Sequence, residues 1–302
     1  MAQLYDIAVL GTTPAGCAAA LALAETGRSV VVVDAPREVV ECPLADWVGR
    51  GFFAIKGLPA SLKSKVQARP FKKVQYHSAD LDREAQYVAR SAAGYFLDPE
   101  KLTAALKSAA KDAGASFRTT KTFPAISLEE DQVRLIGTSQ ARAKLLLIAQ
   151  GRPTDVIEDL ALPIRTAPLS SLVVAAVDVP LGRAEAKEHA GILHVVESRE
   201  QTELGLFFVL DKALHLRVVS SSPASGTRAA ELSEMLAELK GAGLLPEDLA
   251  LNKARGAVWR PPAGVALELE THVTKRCLLI GTAGGFVEAV NGQTLTASVR
   301  SG

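Results

Sequence analysis

Apolar and small residues at the start of the chain follow a strand, helix, strand order. Residues 5–10 form a short apolar run, residues 14–26 are rich in alanine and leucine, and residues 29–33 are mostly valine. Runs of this length and composition predict a strand, a helix and a second strand. Because strands joined by a crossover helix run parallel, we expect a βαβ unit and a parallel sheet.

The periodicity weakens between residues 36 and 97. Several lysines and arginines occur between residues 62 and 73. We interpret them as a solvated face on an excursion from the first sheet, because a run of like charges usually faces water.

Regular patterns return after this stretch. Asp98 can cap a helix that has Pro99 in its first turn and stops at Gly114. Two short strands are expected on either side of the acidic residues 129–131, followed by a fully apolar strand at residues 145–149. These elements would extend the first sheet.

The second half of the chain has the pattern of an antiparallel sheet. Its apolar runs are residues 191–196, 204–210 and 214–219. Asp211 and Lys212 separate the last two runs, as in a hairpin. Apolar residues at helical spacing between positions 232 and 239 predict an amphipathic helix. A further strand at residues 277–280 then enters a glycine-rich turn at residues 281–285.

Composition narrows the classes of function. The 302 residues are 48% hydrophobic and carry a formal net charge of +1, so the chain can bury a sizeable core but has no strong field to attract nucleic acid or an anionic membrane. A small-molecule ligand is expected. We expect no transmembrane segment, because no apolar run reaches roughly 18 residues. The three cysteines show no metal-ligand spacing, so we expect no metal site and a cytoplasmic location.

The turn between the first strand and the first helix carries a glycine pattern. Its residues are Gly11, Thr12, Thr13, Pro14, Ala15 and Gly16. Backbone N–H groups and the helix dipole at such a turn can hold a pyrophosphate. Gly11 permits the tight turn and Gly16 allows close packing of helix on strand. Thr13 replaces the usual second glycine, so its Cβ would crowd a phosphate, although its hydroxyl could donate to one.

Asp34 adds an acid at the end of the second strand. At this position a carboxylate can accept hydrogen bonds from the ribose of an adenine dinucleotide. The alternative is a βαβ turn whose glycines serve packing only. The motif alone leaves both interpretations open.

The C-terminal segment favours the first interpretation by resemblance. Residues 275–288, KRCLLIGTAGGFVE, resemble the second FAD motif of the superfamily that includes para-hydroxybenzoate hydroxylase and geranylgeranyl reductase. The βαβ unit, the helix at Asp98, the strand at residues 145–149 and the C-terminal turn all occur in the order of that superfamily.

The resemblance implies an FAD site and assigns its residues. Gly11, Gly16 and Asp34 would bind the ADP half, residues 281–285 would face the flavin phosphates and ribityl chain, and a helix from Asn291 would point its N-terminus at the flavin ring. The implied cofactor-binding set is Gly11, Thr13, Pro14, Ala15, Gly16, Asp34, Gln150, Gly151, Gly281, Thr282, Ala283, Gly285, Asn291 and Gly292.

The chain departs from the superfamily pattern at five cofactor-facing positions. Thr13 replaces a glycine, Gln150 and Thr282 replace aspartates, and Ala289 and Thr294 replace a proline and a glycine. A hydrogen bond to a charged group contributes about 1.5–3 kcal/mol. Loss of the carboxylates is therefore expected to weaken the binding of FAD.

The expected fold class is α/β. It comprises a Rossmann-like FAD/NAD(P)-binding domain with a mainly parallel sheet and a smaller antiparallel α+β substrate domain. Residues 1–35, 98–165 and 270–302 would form the first domain. Residues 166–269, with the excursion at 36–97, would form the second.

Two functions remain open. The first is an FAD-dependent oxidoreductase, a reductase or a monooxygenase, acting on a small or lipid-like organic substrate with NAD(P)H as a transient electron donor. The second is a non-catalytic relative that binds another nucleotide, an apolar ligand or a protein. No catalytic residue is assigned, because flavin chemistry belongs mostly to the cofactor. We interpret His189, His194 and His215 as structural histidines and Cys42 as an inert thiol.

Overall fold

The computed structural model describes residues 3–36, 45–137, 140–150, 173–197, 203–220, 228–249, 255–259, 271–288 and 291–302. Its helices are α1 (Pro14–Glu25), α2 (Leu62–Lys65), α3 (Pro99–Asp112), α4 (Arg183–Glu188), α5 (Arg228–Gly241) and α6 (Leu295–Ser301), with 3-10 turns at Phe52–Ala54 and Gly281–Gly284. Its strands are β1 (Leu4–Leu10), β2 (Val30–Asp34), β3 (Asp46–Gly49), β4 (Arg69–Phe71), β5 (Lys73–His77), β6 (Glu84–Val88), β7 (Gly94–Leu97), β8 (Ser116–Thr119), β9 (Ala125–Leu128), β10 (Val133–Ile136), β11 (Ala141–Ile148), β12 (Val173–Pro180), β13 (Ile192–Glu197), β14 (Glu203–Leu210), β15 (Ala213–Ser220), β16 (Arg255–Trp259), β17 (Val273–Thr274) and β18 (Cys277–Leu279). None of the described helices is long and apolar enough to cross a bilayer.

The first sheet is mainly parallel and joins the two ends of the chain. Its order is β17-β18-β11-β1-β2-β8, and β1 pairs in parallel with both β11 and β2. Leu278 of β18 pairs with Leu147 of β11, which pairs in turn with Val9 of β1. The predicted return of the C-terminal strand to the sheet that the first strand begins is confirmed.

Both faces of this sheet are covered. Val9 and Val32 pack against α1 and α3 on one face, whereas Leu10 and Val33 pack on the other face with residues of β9 and β10. Burial of each such side chain stabilises the fold by roughly 1.5–3 kcal/mol. Because both faces are buried, the central strands are runs of apolar residues and do not alternate with polar ones.

Helix α3 begins and ends where the sequence predicts. The Asp98 side chain accepts a hydrogen bond from the Glu100 N–H at 2.8 Å, and Gly114, with φ of 102°, follows the last turn. Its buried residues Leu102 and Leu106 contact the core beside α1. The helix is therefore fixed next to the glycine turn at the start of α1.

The second sheet is mainly antiparallel, with the order β16-β12-β15-β14-β13-β5-β6. Strands β14 and β15 form the predicted hairpin, and Asp211 at its turn has a positive φ of 56°. Leu232, Leu236 and Leu239 of α5 pack against one face. The other face meets the small sheet β3-β7-β4, where Phe208 stacks on Phe96 at 4.3 Å between ring centroids. The predicted α/β fold class, with a mainly parallel sheet and a separate antiparallel sheet, is confirmed.

Residues 45–97 form more strands than their pattern predicts. Of the described part, β5 and β6 extend the second sheet and β3, β4 and β7 form the small one. These strands are three to five residues long, and every residue of β6 is exposed. Strands so short carry little periodicity, and β5 finds its partner β13 more than a hundred residues away. Of the lysines between residues 62 and 73, Lys63 and Lys65 lie on α2, Lys72 lies between β4 and β5, and Lys73 begins β5.

A chain of three buried histidines lies in the second sheet. His77 Nε2 is 3.0 Å from His194 Nδ1, and His194 Nε2 is 3.3 Å from His189 Nδ1. The His194 ring stacks on Phe207 at 4.0 Å between centroids, on the face that α5 covers. Burial lowers the pKa of all three histidines, that of His194 to about 2. All three are therefore neutral at pH 7.

Replacing Gly16 should destabilise the fold whether or not a ligand binds. A β-carbon there would overlap the Gly11 carbonyl oxygen and lie 3.1 Å from the Ala149 Cβ. We expect Gly16→Ala to lower the free energy of unfolding by about 1–3 kcal/mol, as overpacked cores do. The control is Gly241→Ala in α5, where no atom lies within 4 Å of the new Cβ and stability should be unchanged or higher. Chemical denaturation measures both, and equal stability of the two variants would contradict the packing argument.

The histidine chain should make stability fall in acid. Since the folded pKa of His194 lies below the unfolded value of about 6.5, its contribution is complete above that pH and is lost as the pH falls toward 2. One such group changes the free energy of unfolding by about 1.4 kcal/mol per pH unit within this window. His194→Phe keeps a stacked ring but cannot take up a proton. We expect it to reduce the slope of the free energy of unfolding against pH, between pH 6 and 4.5, by up to that amount. Denaturation curves across this range measure the slope, and an unchanged slope would show that His194 takes up a proton without cost.

Candidate functional site

A cavity of about 380 Å³ lies between the two glycine turns. It is found where the carboxyl ends of β1 and β2 meet α1 and α3, the position at which open parallel sheets bind their ligands. Six residues of the predicted cofactor set form part of its wall: Thr13, Pro14, Ala15, Asp34, Thr282 and Gly292. The site thus brings together residues from the first 34 positions and the last 25.

The other predicted residues lie outside the wall. Gly11, Gly16, Gln150, Gly281, Ala283 and Gly285 are buried behind it, and Asn291 is half-buried beside Gly292. Gly151, Cys42 and Ala289 fall outside the described residues.

Thr13 caps the helix to which it belongs. Its hydroxyl accepts a hydrogen bond from the Gly16 N–H at 3.1 Å and donates one to the Ala149 carbonyl at 3.0 Å. The side chain is buried, so these two bonds tie the start of α1 to the end of β11. The Ala15 N–H lies in the first helical turn, where no intrahelical acceptor exists, and Ala15 lines the cavity.

The two glycine turns touch each other. Gly11 has φ of 109°, and a β-carbon on it would lie 3.0 Å from the Gln150 backbone nitrogen. A β-carbon on Gly281, whose φ is 62°, would lie 2.7 Å from the Ala15 Cβ. Glycine is required at both positions by backbone conformation and by space.

Asp34 and Gln150 point in different directions. Asp34 lies in the cavity wall, and its Oδ1 accepts a hydrogen bond from the Thr12 N–H at 3.4 Å. The Gln150 side chain instead donates to the Pro36 carbonyl at 2.7 Å and is buried. Gln150 therefore links the end of β11 to the residues after β2. It does not line the cavity, whereas Asp34 does.

The C-terminal segment supplies the opposite wall. Thr282 and Ser298 are buried there, and the Ser298 hydroxyl has no hydrogen-bond partner among the described residues. The prediction of a helix from Asn291 is wrong, because α6 begins at Leu295. Asn291 instead makes a turn in which its Oδ1 accepts a hydrogen bond from the Gln293 N–H, and Gly292 takes φ of 63°. A residue with positive φ does not continue into a right-handed helix.

The sequence analysis missed more than half of the residues in the cavity wall. The missed residues that carry polar chemistry are Asp46, Glu100, Thr103, Lys107, Arg217 and Ser298. Those on α3 share one helical face, which the predicted helix at Asp98 already implied. Arg217 interrupts the apolar strand β15, and a charge within such a run was the available signal. Asp46 follows a stretch in which no pattern was evident.

Arg217 and Asp46 form a buried ion pair at the second sheet. The Arg217 Nη1 is 3.4 Å from the Asp46 Oδ1, and the guanidinium lies 4.9 Å above the centre of the Trp47 ring. Burial raises the pKa of Asp46, although the charge of Arg217 acts in the opposite direction. The wall thus carries a cation at each side of the cavity, Lys107 on α3 and Arg217 on β15.

The histidines and cysteines that the structure describes do not line the wall. His189 and His194 lie on the far face of the second sheet, and His215, also buried, donates from Nδ1 to the Asp178 carboxylate at 2.7 Å. Burial lowers the pKa of His215 to about 4. Cys17 and Cys277 are buried thiols, and no group of acidic, histidine or cysteine side chains within the described ranges is arranged to hold a metal.

Several solved structures share the fold of this chain. One is a geranylgeranyl bacteriochlorophyll reductase-like protein from Thermoplasma acidophilum, 15% identical, with a TM-score of 0.79 over 99% of this chain and 76% of that protein. The chain has the Rossmann-like FAD-binding fold. The flavin-dependent monooxygenase PieE, in complex with FAD and substrate, matches with 17% identity and a TM-score of 0.72 over 98% of this chain and 56% of its own.

A third structure with this fold is the halogenase PltM in complex with phloroglucinol and FAD. It is 14% identical, with a TM-score of 0.71 over 98% of this chain and 67% of that protein. No protein-family model and no curated protein sequence matches the chain. At these identities the likeness establishes the fold and leaves activity to be argued from the site.

The helix cap at Thr13 should be measurable in stability. Removal of an N-cap hydroxyl costs roughly 0.5–2 kcal/mol, so Thr13→Ala should lower the free energy of unfolding by that amount. Thr13→Ser keeps an oxygen that can make both bonds and should remain close to wild type. Thermal and urea denaturation of the two variants test this, and a wild-type stability of Thr13→Ala would show that the cap does not hold α1 to β11.

Proposed function

We propose that the chain binds FAD in the cavity between the glycine turns and is an FAD-dependent oxidoreductase of reductase or monooxygenase type. One observation carries the proposal: turns from both ends of the chain meet on one cavity at the carboxyl ends of the parallel strands. A cavity in this place suits a long dinucleotide that needs two phosphate-binding turns.

The residues in the wall fit the polar parts of FAD. The first-turn amide of Ala15 and the charge of Lys107 suit a pyrophosphate, and the Asp34 carboxylate suits the hydroxyl groups of a ribose. The buried Ser298 hydroxyl, beside Thr282, has an unused hydrogen-bonding capacity that a ribityl hydroxyl or a phosphate oxygen would satisfy. We assign these residues to hold the cofactor.

Bound FAD would supply the transfer of hydride or the activation of dioxygen. The role of the chain is then to bind and orient the cofactor and to exclude water from the cavity. Asp34 and Ala15 anchor the nucleotide part, and the second sheet contributes the buried Arg217 of β15 to the other side of the cavity. We propose residues 1–35, 98–165 and 270–302 as the unit that holds the cofactor, and residues 166–269 with 36–97 as the unit that holds the substrate. The substrate is a small or lipid-like organic molecule, and NAD(P)H is a transient donor.

A second candidate is a non-catalytic protein that binds another nucleotide. Two observations favour it: the Thr13 hydroxyl and the Gln150 amide are bonded to the protein itself, and Thr282 is neutral where the resembled superfamily has an aspartate. The visible absorption spectrum of the purified protein separates the two candidates. An oxidised flavin spectrum supports the oxidoreductase. A colourless protein that binds ADP but not added FAD supports the alternative.

Asp34→Ala should weaken FAD binding. Loss of hydrogen bonds between ribose hydroxyls and a carboxylate removes about 1.5–3 kcal/mol, which corresponds to a roughly tenfold to hundredfold higher Kd. The control is Asp112→Ala at the exposed end of α3, which makes the same charge change outside the cavity. Titration of apoprotein with FAD, followed by flavin fluorescence, measures both Kd values. Equal affinities in the two variants would place the ribose elsewhere.

A further inference from the structure

Strand β6 forms one edge of the second sheet. The order of that sheet ends with β13-β5-β6, and β6 pairs with β5 alone among the described strands. Each of its five residues is exposed, so the strand is open to solvent. It contains neither proline nor lysine, the residues that often prevent an edge strand from pairing. An open edge of this kind carries backbone N–H and C=O groups that can bond to another strand.

The backbone groups on the open side of β6 can be assigned. The Ala89 N–H, just after the strand, donates to the Lys72 carbonyl at 2.9 Å. In an antiparallel pair the residues that bond to the neighbouring strand alternate, so the odd-numbered residues of β6 face β5. The N–H and C=O groups of Glu84, Gln86 and Val88 therefore point away from the sheet.

Two exposed tyrosines lie on one face at this edge. Tyr87 pairs with Val74 of β5, and Tyr76 is two residues further along β5, so both rings are on the face of Val74. Leu193, which pairs with Val74 from the other side, packs in the cluster that includes the small sheet. The tyrosines lie beyond that cover, since Tyr76 is 50% and Tyr87 59% exposed.

The charges along the edge are self-complementary about Tyr87. Glu84 lies three residues before it and the exposed Arg90 three residues after it. If two copies of β6 pair antiparallel with Tyr87 at the centre, Glu84 of each copy is opposite Arg90 of the other. In the same register Gln86 is opposite Val88, and both have their backbone groups on the open side. Opposite charges and aromatic rings facing each other across two strands stabilise the pair.

We propose that β6 is a dimerisation edge, at which two copies of this chain pair antiparallel about Tyr87 and join their second sheets into one. The occupant is a second copy because the edge complements itself in charge, which a strand of another protein does not require. Pairing of identical edges about a two-fold axis is closed, so it yields a dimer and not a fibre.

The dimer edge lies away from the cavity. Three strands, β14, β13 and β5, separate β6 from β15, which carries Arg217 of the cavity wall. The inference therefore does not rest on the proposed function, and each can be tested without the other.

Sedimentation equilibrium of the whole chain over a range of concentrations is the first test. One strand and a few side chains from each copy make a small interface, so we expect a reversible dimer with a Kd on the order of 10 µM. A protein that is still a monomer at about 200 µM, far above this Kd, would overturn the proposal.

Charge reversal identifies the surface. Glu84→Arg and Arg90→Glu each replace two attractive contacts of the dimer with two repulsive ones, so each variant alone should have a Kd roughly tenfold higher or more. In an equimolar mixture of the two variants every contact again joins opposite charges, and dimers should return to within severalfold of the wild-type Kd. Glu84 also accepts a hydrogen bond from the Gln75 side chain, so urea denaturation checks that both variants are folded. A mixture no more dimeric than its components would contradict the proposed register.

A proline variant tests the backbone pairing itself. Gln86→Pro removes an N–H that points away from β5, so the fold should persist, whereas the dimer loses two hydrogen bonds and its Kd should rise at least tenfold. Gln86→Ala is the matched control, because it shortens the same side chain but keeps the N–H, and it should dimerise like wild type. A dimer equally stable in both variants would place the interface elsewhere and overturn the proposal.

Discussion

The close approach of α1 to the segments around it constrains the rest of the molecule. Gly11, Gly16 and Gly281 each lie where a β-carbon would meet backbone or a neighbouring Cβ at 3.0 Å or less. This contact fixes the turn after β1 against the turn after β18, although the two are separated by almost the whole chain. The glycines are therefore required for packing, and the cavity lies beside this contact, with Pro14, Ala15 and Thr282 in its wall.

Two polar residues at which the chain departs from the flavoprotein motifs that it resembles form hydrogen bonds within the protein. Thr13 replaces a glycine and caps α1, and Gln150 replaces an acid and binds the chain after β2. Each substitution converts a position that could face a ligand into a bond between two segments. The polar groups of the wall that still face the cavity are Asp34, Ser298, the first-turn amides and the two cations, Lys107 and Arg217.

The sequence predicted those elements whose signal is local. The parallel strands are long apolar runs, Asp98 with Pro99 marks a helix start, and Asp211 marks a hairpin. Residues 36–97 escaped prediction because their short strands depend on distant partners, such as β13 for β5. The predicted helix at Asn291 is wrong because Gly292, which follows it, has a positive φ and forms a turn before the helix begins.

The candidate site was predicted in part for the same reason. The first glycine turn can be predicted from its spacing, so Thr13 to Ala15 and Asp34 were found, whereas Thr282 was assigned through the resemblance of the C-terminal segment. Arg217 and Asp46 come from strands in different sheets and meet only through tertiary packing. Their pairing has no spacing signature, and only the presence of a charge in an apolar strand could have indicated Arg217.

The histidine chain couples the tautomers of its three rings. His194 is the middle ring and contacts His77 through Nδ1 and His189 through Nε2. A neutral imidazole carries one N–H, so His194 donates to one of these neighbours and accepts from the other. A change of tautomer at His194 reverses both hydrogen bonds and therefore requires His77 and His189 to change with it.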